Sequence, residues 1–108
     1  MADLDDYLNA LKQPLAVFIK DNFHDFKSAA EKDLKDFLVQ AKDNIAKWTG
    51  LLASRTINAR EFDSLLKGES SLGRLHALKQ VGLAQTRWDL FTAGVITILV
   101  NTAIAVFL

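Results

Sequence analysis

Residues 90–108 read LFTAGVITILVNTAIAVFL and contain no charged side chain. As an α-helix, this segment extends about 28 Å at 1.5 Å per residue, close to the hydrocarbon thickness of a bilayer. All 13 basic and all 13 acidic residues lie in the part of the chain that precedes it. We therefore expect a polar helical body joined to an apolar C-terminal helix that enters a membrane or is buried in protein.

Three locations for the apolar segment remain open. Membrane insertion ranks first, because the segment is uncharged and just long enough to span. Burial in the core of a soluble oligomer ranks second, because threonines and Asn101 dilute its apolar character. Burial within its own chain ranks last, since a body of this size has few side chains with which to surround a helix that is apolar on all sides.

Small and polar residues recur at every fourth position of this segment, namely Ala93, Thr97, Asn101 and Ala105, with Gly94 beside them. Small residues let two helices approach closely in lipid, and an asparagine can form a hydrogen bond across the contact. An asparagine against acyl chains is costly, so Asn101 should face protein or a polar cavity. We predict a helix–helix interface along these positions.

The sequence from Ser71 onward contains no proline and predicts one long helix, bent near Gly82, that runs into the apolar segment. Gly73, Ala77 and Gly82 have small side chains or none, so they too are candidates for close contact between helices. Each glycine weakens a helix by about 1 kcal/mol relative to alanine. These three residues extend the predicted interface toward the body.

Arg87 and Trp88 come directly before the apolar run and suit the border of a membrane. A tryptophan is typical of that interface, and an arginine there can extend its charged end into water. Residues 51–89 carry six bases and four acids. Because basic flanks stay on the cytoplasmic side, we expect the N-terminal body to be cytoplasmic if the segment spans a membrane.

The first 53 residues show helical periodicity in two series of apolar positions. The first is Leu4, Leu8, Leu11, Leu15 and Phe18, and the second is Leu34, Leu38, Ala41, Ile45, Trp48 and Leu52. This spacing puts an apolar stripe along a helix and predicts a long amphipathic, coiled-coil-like N-terminal helix. Pro14 should kink that helix, or begin a second one in its first turn.

A capping signal in the middle of the chain predicts a short helix that starts at Asn58 and ends before Gly68. Asn58 is a favourable N-cap, and Glu61 lies three residues later, as a capping box requires. Ile57 and Phe62 flank this box with the spacing of a hydrophobic staple. Residues 54–89 should therefore form a helical connector between the amphipathic segment and the apolar helix.

Chemistry-bearing residues are few. Asp21, His24 and Asp25 fall on one helical face, but a metal site needs at least one further ligand, so a solvated surface explains them better. The acidic clusters are read as helix-start or solvated charges, namely Asp3, Asp5, Asp6, Asp33 and Asp36. The chain has no cysteine and shows no glycine-rich phosphate loop or nucleophile motif. We expect no catalysis, cofactor, bound metal or small-molecule substrate.

Nucleic-acid binding is disfavoured as well, because the formal net charge is zero. The sequence predicts an all-α protein with segments 1–53, 54–89 and 90–108. It should be a non-enzymatic scaffold subunit that oligomerises with its own copies, binds membrane lipid through the apolar helix and joins other subunits of a larger assembly. The alternatives are a soluble bundle, tube or filament with apolar helices in its core, and a pore former with Thr97 and Asn101 facing the lumen.

Overall fold

The computed structural model describes residues 3–69 and 77–108, and in those ranges it is helical without any strand. The helices are α1 (Leu4–Asn22), α2 (Lys27–Gln40), α3 (Lys42–Ala53), α4 (Ala59–Lys67), α5 (Ala77–Gln80) and α6 (Gln85–Phe107), with a 3₁₀ turn at His24–Phe26. The all-α prediction, with a capped helix in the middle and a long apolar helix at the C-terminal side, is confirmed.

Helix α1 is an amphipathic helix of 19 residues that remains one helix across Pro14. The side chain of Asp3 accepts a hydrogen bond from the backbone N–H of Asp6, and the Asp6 side chain accepts one from Asp3 in return. Proline removes one donor from the helical ladder, which leaves the carbonyl of Ala10 without its partner. Ala10 and Pro14 are both exposed, so water can supply that hydrogen bond.

The expected single N-terminal helix is divided at Phe23 and at Ala41. Phe23 ends α1, is buried, and packs edge-on against the rings of Phe18 and Phe91. Burial of this ring turns the chain, and α2 then runs back along α1 as the second arm of a helical hairpin. Ala41, also buried, separates α2 from α3. Much of the amphipathic stripe is therefore buried within this chain.

Helix α4 begins and ends where its sequence signals indicate. Asn58 Oδ1 accepts from the N–H of Glu61 at 2.8 Å, and Glu61 Oε1 accepts from the N–H of Asn58 at 3.1 Å. The helix ends at Lys67, with Gly68 as its C-cap. Phe62 is fully buried, and Ile57 packs partly buried against the core. The predicted capping box is confirmed.

The helix expected from Ser71 into the apolar segment is not continuous. Gly82 lies in a turn with φ +88°, a left-handed conformation that favours glycine because it has no Cβ. This turn and the extended residue Ala84 separate α5 from α6. Ser71 and Gly73 lie outside the described residues.

One face of α6 forms the centre of the hydrophobic core. Helix α6 packs on α1, α4 and α3. It runs antiparallel to α1, because Tyr7 contacts Phe107 near its end and Phe18 contacts Phe91 near its start. The radius of gyration, 13.6 Å, is close to the value of about 13 Å expected for a compact domain of roughly 100 residues. A body of this size can cover α6 because it covers one face only.

Candidate functional site

Helix α6 has a covered face and an open face. Its covered positions are Trp88, Phe91, Val95, Ile96, Leu99 and Ala103, all of which belong to the core. On the opposite side Ala93, Thr97, Asn101 and Ala105 are exposed; we call these four residues the outer face. The structure therefore brings the predicted small and polar positions together on one accessible surface of the bundle.

The polar side chains of the outer face are not used in hydrogen bonds to the described part of their own chain. Within residues 3–69 and 77–108, the side chains of Thr97 and Asn101 have no hydrogen-bond partner. Leu90, at the start of this surface, is 65% exposed, and Ile104 is 39% exposed near its end. An uncharged surface with exposed apolar side chains at its borders is typical of a contact region.

Gly94, predicted to share the interface, instead serves a contact inside the chain. A Cβ atom at this position would overlap the aromatic ring of Phe18 on α1. The absence of a side chain therefore lets α1 and α6 approach closely beside Phe91. The other predicted interface residues do not join the outer face: Ala77 begins α5, Gly82 lies in the turn, and Gly73 is outside the described residues.

Arg87 fixes the start of α6 to the turn between α1 and α2. Its guanidinium donates two hydrogen bonds to the carboxylate of Asp25, at 2.7 and 2.9 Å, and a third to the backbone carbonyl of Asn22 at 2.9 Å. The guanidinium also lies 5.2 Å from the ring centre of Phe23 and 5.4 Å from that of Phe26. In this fold the guanidinium of Arg87 is therefore paired within its own chain.

Trp88, the other predicted border residue, is buried in the same region. Its ring stacks on Phe91 at a centroid distance of 5.9 Å. The ammonium group of Lys79 lies 4.6 Å from the centre of the Trp88 ring, which is within the range of a cation–π interaction. Arg87 and Trp88 thus both join the first turn of α6 to neighbouring elements.

Tyr7 secures the other end of the α1–α6 contact. Its hydroxyl donates a hydrogen bond of 2.8 Å to the backbone carbonyl of Leu99, and its ring lies 5.6 Å from that of Phe107. Burial raises the pKa of the Tyr7 hydroxyl above its ordinary value. Separation of α6 from α1 would break this bond as well as the Arg87–Asp25 pair.

The structure contains one polar site that the sequence analysis misread. Asp33 was expected to be a helix-start or solvated charge, but it is 1% exposed. Its Oδ1 accepts from the N–H of Ala77 at 3.0 Å, and its Oδ2 accepts from the N–H of Leu78 at 2.9 Å. Asp33 therefore caps α5 from α2. The signal was its register, because Asp33 lies three residues after Ala30 and four before Phe37 on the apolar face.

In the part of the chain that the structure describes, the acidic and histidine side chains do not assemble into a metal centre. Among the described residues, no group of three or more His, Asp or Glu side chains is placed so that it could hold a metal ion. Of the three residues considered from sequence, Asp25 is paired with Arg87, while Asp21 and His24 are exposed. The Arg87–Asp25 pair therefore joins the start of α6 to the turn between α1 and α2.

Comparisons of the chain with protein-family models, curated proteins and solved structures found no match. Among the described helices, α6 is the one long and apolar enough to cross a membrane. A core helix that is mostly buried in a soluble protein meets the same criteria, whereas 33% of the apolar window of α6 is buried inside the structure.

The ion pair between Arg87 and Asp25 predicts an acid-sensitive contribution to stability. Hydrogen bonds from the Arg87 guanidinium lower the pKa of Asp25 from 3.8 to about 2. A carboxyl whose pKa is lower in the folded chain stabilises the fold above its unfolded pKa, and this contribution is lost as the pH falls toward its folded pKa. We expect Asp25→Asn to reduce the loss of stability measured by urea unfolding between about pH 5 and about pH 2.

Asp21→Asn is the matched control, because Asp21 is an exposed aspartate in the last turn of α1. It should leave the acid dependence of the parent chain nearly unchanged. If parent and Asp25→Asn lose stability in parallel over this pH range, the ion pair does not hold α6 to the α1–α2 turn in solution.

Proposed function

We propose that this chain is a non-enzymatic helical scaffold subunit that assembles with its own copies through the outer face of α6. The observation that supports this most is the division of α6 into two faces. One face is already filled by α1, α3 and α4, while the other presents small, uncharged side chains to solvent. In the assembly we propose, α6 lies between its own body and a second copy, and the particle is soluble.

A second copy of the same chain is the partner that suits this surface. Ala93 and Ala105 allow close approach of two helices because their side chains are small. An asparagine amide both donates and accepts hydrogen bonds, so Asn101 can pair with Asn101 of another copy across a two-fold axis. No charged residue occurs within residues 90–108, so two outer faces meet without charge repulsion along this segment.

Thr97→Lys tests the proposal at the centre of the outer face. We expect the parent chain to form a dimer or larger particle in buffer without detergent, and Thr97→Lys to be monomeric. Two lysines brought together at a two-fold contact would be buried without an opposite charge, which is strongly unfavourable. Light scattering coupled to size exclusion, over a range of protein concentrations, measures this directly.

Gln13→Lys provides the control, because Gln13 is exposed on α1 and the substitution adds the same charge. This variant should assemble like the parent. A parent chain that stays monomeric up to the highest soluble concentration would contradict the proposal. So would equal assembly of Thr97→Lys and the parent.

Membrane anchoring is the second candidate function, favoured by the length and composition of α6. In that state α6 would leave the bundle, Arg87 and Trp88 would mark the membrane border, and the body would remain cytoplasmic. Insertion would break the Tyr7–Leu99 hydrogen bond and the Arg87–Asp25 pair, so it requires the bundle to open. The same protein mixed with vesicles of anionic phospholipid separates the two candidates.

If the chain stays with vesicles after alkaline extraction and gives no soluble particle, membrane anchoring replaces soluble assembly. Release of a dye trapped in those vesicles would further indicate a pore, with Thr97 and Asn101 toward its lumen. If the chain stays in solution as an oligomer, α6 serves as the core of a soluble assembly.

A further inference from the structure

The α1–α2 hairpin forms an open apolar groove on a surface separate from the outer face of α6. Its volume is about 450 Å³, within the range of roughly 300–1,000 Å³ found for small-molecule sites. The floor consists of the buried α1 residues Leu11, Leu15 and Ile19. The apolar wall residues are Leu8, Ala16, Leu34, Leu38 and Val39.

Basic side chains outnumber acidic ones among the residues that line this groove. Lys12 on α1, Lys35 on α2 and Lys42 at the start of α3 line it, and none of the three forms an ion pair within residues 3–69 and 77–108. Glu31 is the acid that lines it, and this carboxylate lies 3.9 Å from the ammonium group of Lys27. The groove therefore presents an excess of cationic groups above an apolar floor.

The charges are distributed unequally along the groove. Because α1 and α2 are antiparallel, the start of α1 lies beside the end of α2. Lys42, the first residue of α3, directly follows the end of α2, so Lys42 and Lys12 belong to one half of the groove, Lys35 to its middle, and Glu31 to the opposite end near Ile19. A ligand that complements this pattern is apolar along most of its length and negatively charged at one end.

We propose that the groove binds a single-chain anionic amphiphile, such as a fatty acid. The acyl chain lies along Leu11, Leu15 and Leu38, and the carboxylate is placed between Lys12 and Lys42. An acidic amphipathic helix fits less well, because it would carry carboxylates along its length and bring some of them to Glu31. This site is independent of self-assembly, since none of its lining residues belongs to α6.

Dodecanoate is the first probe, titrated into the full-length protein by calorimetry below its micelle-forming concentration. We expect saturable binding at one site per chain. Dodecyltrimethylammonium has the same alkyl chain with a positive headgroup, and it should bind at least about tenfold more weakly because its headgroup meets the lysines. Equal binding of the two amphiphiles would overturn the proposed role of the lysines, and absence of dodecanoate binding would overturn the site.

Val39→Glu and Val17→Glu test the location. Val39 lines the groove and is 67% exposed, whereas Val17 is 45% exposed on the same hairpin and lies outside it. Both substitutions add one negative charge to an exposed helical position, so both variants should fold, as thermal unfolding will verify. We expect Val39→Glu to weaken dodecanoate binding about tenfold or more and Val17→Glu to change it by less than about twofold.

Lys12→Gln/Lys42→Gln should weaken dodecanoate binding, whereas Lys20→Gln/Lys47→Gln, with the same change in net charge, should not. If these paired variants lose affinity equally, binding is general charge attraction and the groove is not the site. Binding of an acidic amphipathic peptide that Val39→Glu abolishes, with no binding of dodecanoate, would assign the groove to a protein helix instead. Sizing of the same samples reports self-assembly separately.

Discussion

Phe91→Ala is expected to lower the free energy of unfolding by about 3–5 kcal/mol, the range observed when a buried phenylalanine is truncated. The Phe91 side chain is fully buried at the centre of the α1–α6 contact. Its ring centre lies 5.4 Å from that of Phe23, 6.3 Å from that of Phe18 and 5.9 Å from that of Trp88. Truncation would leave a cavity bordered by these rings, and urea unfolding followed by circular dichroism measures the loss.

Leu90→Ala is the matched control for the stability measurement on Phe91→Ala. Leu90 precedes Phe91 in the same helix, but its side chain is 65% exposed, so its truncation should change stability by only about 0.5 kcal/mol. In a helix that stands free in lipid, neither residue would be part of the core of the body. A small loss in both variants would therefore show that α6 does not pack on α1, and would favour the membrane-anchored state.

Features set by neighbouring residues could be predicted from the sequence. The box formed by Asn58 and Glu61 needs only two side chains and the backbone between them, and it starts α4 where expected. Asp3 and Asp6 start α1 in the same way, which fits their interpretation as helix-start charges. In both cases the hydrogen bonds join positions three residues apart, so no tertiary contact is needed to form them.

The helix ends set by tertiary packing could not be predicted in this way. Phe23 has the periodicity of a helical stripe, yet its ring packs against Phe91, far along the chain, and the helix ends there. Pro14 indicated either a kink or the start of a second helix, and no second helix starts there, because its position on the exposed side of α1 makes the missing hydrogen bond inexpensive. Both outcomes depend on which side of α1 meets the core.

Tertiary packing also limited what the sequence could predict about the candidate site on α6. The fourfold spacing of Ala93, Thr97, Asn101 and Ala105 identifies residues that share a face, and the structure places them together. The sequence could not show that the body covers the opposite face, since residues 90–108 are apolar nearly all round. Whether the outer face binds another copy stays a prediction.

Asp33→Ala is the second substitution with a large expected effect, a loss of about 2–3 kcal/mol in the free energy of unfolding. The carboxyl group of Asp33 accepts from the backbone N–H groups of Ala77 and Leu78, which are 44 and 45 residues away in sequence. Without it, the N–H of Leu78 stays buried with no acceptor in the described structure, and a buried unpaired donor costs about 1–3 kcal/mol.

Asp36→Ala is the matched control for this substitution. Asp36 lies one turn further along α2 and pairs with Lys32 at the surface, at 2.9 Å. Loss of such an exposed pair should change stability by about 0.5 kcal/mol or less. Hydrogen exchange gives a second readout, because Asp33→Ala should accelerate exchange at the Leu78 amide more than at amides of α4. Equal stability losses for the two variants, with Leu78 exchange unchanged, would mean that Asp33 does not anchor α5 to α2.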